Sequence, residues 1–273
     1  MRTLPIFKKT PILVIAVAMI AAITGSAQSR TPTAPPQSAS TLPDVVGIHP
    51  GISAQEAYNL LKARSPQAKI GIGQFRVAGV TDQPVPVSMS IGILNAEPAE
   101  VITVWLTTPP SQQVVWAVGR QIEFEQNKQL LRSNVIAGLR QKYGPETDAQ
   151  HSYWAFDEQG RRSYTAGQKD VNCAGRANWS LTVAPPQDSK YDSFTPLLYA
   201  PGPPTPCDSL VEVRATLDSP RGPDYVVRVT VIVSDLALAR RSQEAYQAFL
   251  ANAGEAKNKE EIEKARQRKG PAF

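Results

Sequence analysis

Glu123 and Glu125 are the two residues whose spacing most resembles an acid–base pair. In an extended segment, side chains two residues apart share a face. They would stand roughly 7 Å apart along the strand, near the separation an inverting glycosidase keeps between its acid and its base. Charged residues on the outer face of a strand are ordinary, however, and nothing else in the sequence converges on these two. His49 and His151 come with no Gly-x-Ser-x-Gly elbow, no HExxH and no P-loop. Two histidines and two cysteines are too few for a zinc site built from those residues. Gly71-Ile72-Gly73 is only a fragment of a glycine-rich loop, and Asp157-Glu158 reads as a turn without the repeated acidic spacing of a calcium loop. No catalytic residue, cofactor-binding residue or metal ligand is assigned, and no cofactor is expected.

Other residue types suggest binding rather than chemistry. Trp105, Trp116, Trp154 and Trp179 all lie in strand-like segments. They could line a ligand groove; at core-facing alternation they are more often plain core. Arg120 interrupts the Val118/Ile122 face, either as a buried ion-pair partner or, the reading favoured, as the end of the covered part of that strand. Cys173 and Cys207 form an even pair in a chain whose start reads as an export signal, which favours one disulfide. It would close a loop of about 34 residues, rich in proline and poorly suited to a central strand.

The export signal lies at the N-terminus. Arg2, Lys8 and Lys9 precede an uncharged apolar run from Ile12 to Ile23, and Gly25-Ser26-Ala27 places small residues at a cut after Ala27. The run is short for a membrane span, which needs roughly 20 residues. The expected location is therefore periplasmic or secreted, with no stable membrane span after cleavage. The chain has 273 residues and a formal charge of +5; without residues 1–27, 26 basic and 24 acidic residues leave only +2. That balance argues against a nucleic-acid binder, which needs a concentrated basic footprint. Residues 28–43, rich in Pro, Ser and Thr, read as a flexible linker.

The folded body is expected over 44–235. Ser53-Ala54-Gln55-Glu56 is a capping-box pattern that opens a helix, with Ser65-Pro66 as its stop. Strand patterns follow at Val85 to Ile93, Val101 to Leu106 and Val114 to Phe124, with Pro84 and Pro86 suggesting that a strand begins at an edge. A second helix is expected over 126–143, ended by Gly144-Pro145 with the glycine in the αL conformation. Tyr153, Trp154 and Phe156 with the turn at Asp157 to Gly160 read as a hairpin. Later strands are expected at Trp179 to Val183, Leu210 to Leu217 and Tyr225 to Val233. A long helix over 236–269 closes the chain. Its first half carries an apolar face through Ala245, Tyr246, Phe249, Leu250 and Ala253. Its distal half is charged and projects. Lys257, Lys259, Lys264, Arg266 and Arg268 there are candidate partner-binding residues, although a solvated helix end has the same composition. The order predicts an α+β fold of mostly antiparallel sheet with two packed helices and a long C-terminal helix. The body reads as one unit or as two, 44–124 and 126–235.

Leu139-Arg140-Gln141-Lys142-Tyr143-Gly144-Pro145 before the Trp154 hairpin resembles a unit of uncharacterised exported proteins of Gram-negative bacteria. So do Gly47-Ile48-His49-Pro50-Gly51-Ile52-Ser53 and the valine-rich last strand running into an Ala/Glu/Lys/Arg helix. Over about 30 residues, the plan of helix, Gly-Pro, aromatic strand and hairpin also resembles the SmpA/OmlA (BamE-like) module of outer-membrane assembly. That resemblance implies a non-enzymatic scaffold. The chain lacks the lipobox cysteine of those lipoproteins, so their membrane anchoring is not implied, and no functional residue is carried over. Three function classes stand: a non-catalytic envelope protein that binds another envelope protein, a module binding a small ligand or cell-wall glycan, and a hydrolase with a dispersed site.

Overall fold

The computed structural model describes residues 42–76, 84–125, 127–163, 173, 181, 190–191, 206–220, 222 and 224–268. The expected signal segment, nearly all of the linker, and Trp179 with the strand around it lie outside the described residues. The body begins slightly earlier than expected, because Pro43 is already buried and Leu42 packs against the core.

Ser53 starts the first helix as its pattern predicts: its hydroxyl accepts from the Glu56 amide at 3.1 Å. Helix α1 (Ala54–Arg64) buries Ala57 and Leu61 and is capped at Ser65. Four strands follow: β1 (Ile70–Phe75), β2 (Val85–Ile93), β3 (Ala99–Leu106) and β4 (Val115–Glu123). After β5 (Leu130–Leu131) come α2 (Arg132–Tyr143), β6 (Tyr153–Phe156), β7 (Lys190–Tyr191), β8 (Val211–Asp218), β9 (Tyr225–Val226), β10 (Arg228–Asp235) and α3 (Leu236–Gln267).

Eight strands form one sheet in the order β6-β8-β10-β4-β3-β2-β1-β7, and β5 and β9 make a separate two-stranded ribbon. Neighbours in the large sheet are antiparallel except β7, which joins β1 in parallel. The fold is α+β with a mostly antiparallel sheet. The stretches 44–124 and 126–235 both feed this single sheet, which is closed in its middle by β4 against β10 from Ala117↔Ser234 to Glu123↔Arg228.

Side chains alternate across the sheet, and each face has its own cover. Ile102, Val104, Val118, Val213 and Val231 point into the main core with α1, Trp154 and Tyr143 of α2. Trp105, Trp116 and Ala117 instead pack with Leu238 and Ala239 of α3. Tyr153, Ala155 and Leu210 pack with the two cysteines.

Several local expectations need correction. Helix α2 begins at Arg132, six residues later than expected, because Leu130 and Leu131 pair with Val226 and Tyr225 as strand β5. The same pairing splits the expected last strand into β9 and β10. Strand β2 lies between β1 and β3, but its first residues, Val85 and Pro86, pair with β1 alone, so the strand begins at a local edge although its later part is central. Pro86 is tolerated because its pairing with Gln74 follows a register shift and β3 pairing starts only at Ser88. Gly144 has φ 79° but ψ −174°, so it lies in an extended glycine-only region and not in αL.

That glycine is where α2 is fixed to the body. The Trp154 indole N–H donates to the Gly144 carbonyl at 2.8 Å. The Tyr143 hydroxyl donates to the Asp44 carbonyl at 2.9 Å, and Lys142 pairs with the Asp44 carboxylate at 3.1 Å. Burial, with the Asp44 charge adding to it, pushes the Tyr143 phenol well above its ordinary pKa. A Cβ on Gly144 would stand 2.8 Å from Nη1 of Arg162. Gly144→Ala is therefore expected to cost about 1–3 kcal/mol, mostly backbone strain, and to lower the urea midpoint of unfolding. An unchanged midpoint would show that the turn relaxes freely.

Candidate functional site

Helix α3 changes character along its length. Its start is tied down at three points. The Asp235 carboxylate accepts from the Leu238 amide at 2.8 Å. The Leu236 amide donates to the Leu210 carbonyl at 3.0 Å. One turn further, Ser242 is buried against the β3–β4 connection, where its Oγ accepts from the Thr108 amide at 2.9 Å. Burial raises the pKa of the capping Asp235. Leu236, Ala239, Ser242, Gln243 and Tyr246 are buried, and Tyr246 meets the Phe75 ring edge-on at 5.7 Å. Phe249, Leu250 and Ala253 are half-buried, and every residue from Gly254 to Arg268 is exposed.

The distal turns hold themselves together. Lys264 pairs with Glu260, and Arg266 with Glu263 at 3.7 Å. The hydrogen bond to Lys264 holds the Glu260 carboxyl below its usual range and raises the lysine in turn. A helix that is polar all round, without a packed face, is stabilised by such pairs. Lys257, Lys259, Lys264, Arg266 and Arg268 thus stand together on an exposed helical rod. At 100° per residue, Lys257, Lys264 and Arg268 fall on one stripe together with Glu261, and Lys259 and Arg266 on another together with Glu255.

Of the three described tryptophans, two lie together and one apart. Trp154 is fully buried in the main core. Trp116 is buried under α3, with Trp105 partly buried beside it. Trp179 lies outside the described residues. Trp154 thus packs in a different core cluster from the adjacent Trp105 and Trp116.

The candidate acids are also apart. Strand β4 ends at Glu123, so Glu125 does not continue its face. Glu123 pairs with Arg228 at 3.3 Å, and Glu125 with Lys128 at 3.3 Å, all at the surface. Nδ1 of His49 is 2.8 Å from the Pro50 carbonyl oxygen. Nδ1 of His151 is 2.7 Å from the Asp148 carboxylate, which also accepts the Gln150 and His151 amides. Burial acts to raise the Asp148 carboxyl, but these bonds outweigh it and hold the group below its usual range. Among the described residues, no cluster of three or more His, Cys, Asp or Glu is placed to hold a metal ion.

Sequence reasoning missed two buried carboxylates. Glu100 on β3 takes a two-pronged contact from Arg64, through Nε at 2.9 Å and Nη2 at 3.0 Å, and a further one from Arg120. Arg120 is thus an ion-pair partner, and it also marks the end of strand cover, since the buried run of β4 stops at Gly119. Glu212 on β8 has a side chain only 1% exposed and is gripped by Arg214 at 2.8 and 3.0 Å. The same guanidinium donates to the Cys173 carbonyl at 3.0 Å and lies 5.1 Å over the Tyr153 ring. Burial, then the Glu212 charge, pushes the Tyr153 phenol far above its ordinary pKa. The Cys173–Cys207 disulfide closes over this cluster, with both cysteines buried.

Both clusters tie elements together. Glu100 joins the C-terminal end of α1 to β3 and β4, and Glu212 joins β8 to the disulfide segment. Neither faces a described cavity. No helix among the described residues is long and apolar enough to cross a membrane. The chain matches no protein-family model, no curated protein and no solved structure.

Proposed function

We propose that this is an exported envelope protein that works by holding another protein, with the distal half of α3 as its docking element. The observation that carries this reading is the contrast within one helix. The first eleven residues of α3 are anchored by a cap, a buried hydroxyl and an aromatic pair. The fifteen from Gly254 to Arg268 touch nothing enough to be even half-buried. A rod held rigidly at one end presents its side chains at low entropic cost to a partner. Export is supported by the charged, apolar and small-residue segments of residues 1–27 and by the disulfide, which persists in oxidising compartments. The local resemblance to a non-enzymatic scaffold module points the same way.

The distal turns carry five basic and four acidic side chains, so a docked partner would answer a mixed charge pattern and binding should weaken as salt rises. The test is truncation after Ala256. The shortened protein is expected to keep the melting temperature of the full chain within a degree or two, since the lost turns bury nothing. It is expected to lose the envelope partner recovered by affinity purification of the intact protein. Retention of the same partner at the same yield would refute docking through α3.

A further inference from the structure

Among the described residues, five large apolar side chains are exposed: Leu94, Leu130, Leu131, Tyr225 and Ile262. Three of these five belong to the small β5–β9 ribbon. Leu131 and Tyr225 are direct cross-strand partners, so their side chains share a face, at 45% and 49% exposure. With Ile136 of α2 they line an open groove of about 540 Å³. Arg132 and Asp224 line the same groove. Their backbones adjoin, since the Arg132 amide donates to the Asp224 carbonyl at 2.8 Å. Both side chains are exposed, and neither has an ion-pair partner among the described residues.

Among the described residues, the patch is therefore apolar at its centre, with the Arg132 cation on the β5 side and the Asp224 anion on the β9 side. Such a surface is complementary to itself. A two-fold axis in the plane of contact, running along the ribbon between its strands, lays each strand over the partner's other strand. Leu131 then meets the partner's Tyr225, Arg132 meets the partner's Asp224, and the same contacts repeat in reverse, as an isologous interface requires. We infer that this ribbon is the contact of a homodimer, distinct from the α3 docking surface. The patch is small compared with standard stable interfaces, so the dimer belongs to the weak, reversible class. The arrangement at α2 fits an interface too. Leu131 is the N-cap residue of α2 and makes no capping bond, so its position serves the helix poorly.

The test is sedimentation velocity of the protein purified after export, over a wide concentration range, on the unmodified chain and three variants. The unmodified chain is expected to show a concentration-dependent monomer–dimer equilibrium. Arg132→Asp sets like charges against each other twice across the axis and is expected to raise the dissociation constant about tenfold or more. Adding Asp224→Arg restores opposite charges and is expected to bring the constant back to within about threefold of the original. Leu131→Asp is expected to abolish the dimer while leaving the melting temperature unchanged or raised, because aspartate caps the helix better than leucine. A monomer at every concentration, a charge swap that fails to restore association, or a Leu131→Asp variant that still dimerises would each overturn the inference.

Discussion

Glu212→Ala is expected to cost about 3–5 kcal/mol of stability, the range for breaking a buried ion pair by removing one partner. The Glu212 side chain is 1% exposed and that of Arg214 24% exposed. The variant removes the carboxylate that Nε and Nη2 of this largely covered guanidinium both bond, while the Cys173 carbonyl and the Tyr153 ring stay beside it. The Ser234 hydroxyl, which donates to Glu212 at 3.3 Å, loses its acceptor as well. The loss comes from the stranded charge, not from any great strength of the pair. Replacing both partners by apolar residues of similar volume, Glu212→Leu with Arg214→Met, is accordingly expected to recover most of it. Urea unfolding of the three proteins decides the matter. A single variant within 1 kcal/mol of the original would mean that water already reaches this cluster.

Replacing both cysteines by serine is the second large effect. The bond closes a loop of sequence separation 34. Chain-entropy reasoning puts the loss at no more than about 4 kcal/mol. The two perturbations should not simply add, because Arg214 links them: its Nη2 donates both to Glu212 and to the Cys173 carbonyl. In the absence of the disulfide, Cys173 need not stay over β8, and the Glu212–Arg214 pair becomes more exposed and less costly to break. The combined variant is therefore expected to lose less than the sum of the separate losses. Strict additivity would show that the staple and the ion pair act independently.

The strands of this sheet were readable from alternation, because burial of one face leaves a period of two in Val85 to Ile93 and in Val229 to Val233. The start of α1 was readable from a capping pattern that acts through atoms three residues apart. What escaped the sequence depends on contacts between distant segments. Val211-Glu212-Val213-Arg214 reads as one apolar and one solvated face, yet the charged face is covered by a segment brought there by Cys173. The cysteine pair was the available signal that something covers β8. Arg120 reads correctly as the end of strand cover, but its ion pair shows only when Glu100 from β3 and Arg64 from α1 are placed beside it. The start of α2 was misread because Leu131 fits an apolar helical stripe, and only pairing with Tyr225 places it in a strand. The projecting helix was legible, since its apolar face stops near Ala256 in sequence and its burial ends at Ala253 in structure.

The reading of α3 as a docking rod is tested most directly by light-activated crosslinking in the living cell. A photoreactive side chain would be placed singly at Lys259, Ile262 or Arg266, with a control at the exposed Gln55 of α1. The account predicts one envelope protein trapped from the α3 positions, absent from the control, with yield falling as salt is raised. No adduct from α3, or the same adducts from α3 and α1 alike, would contradict it.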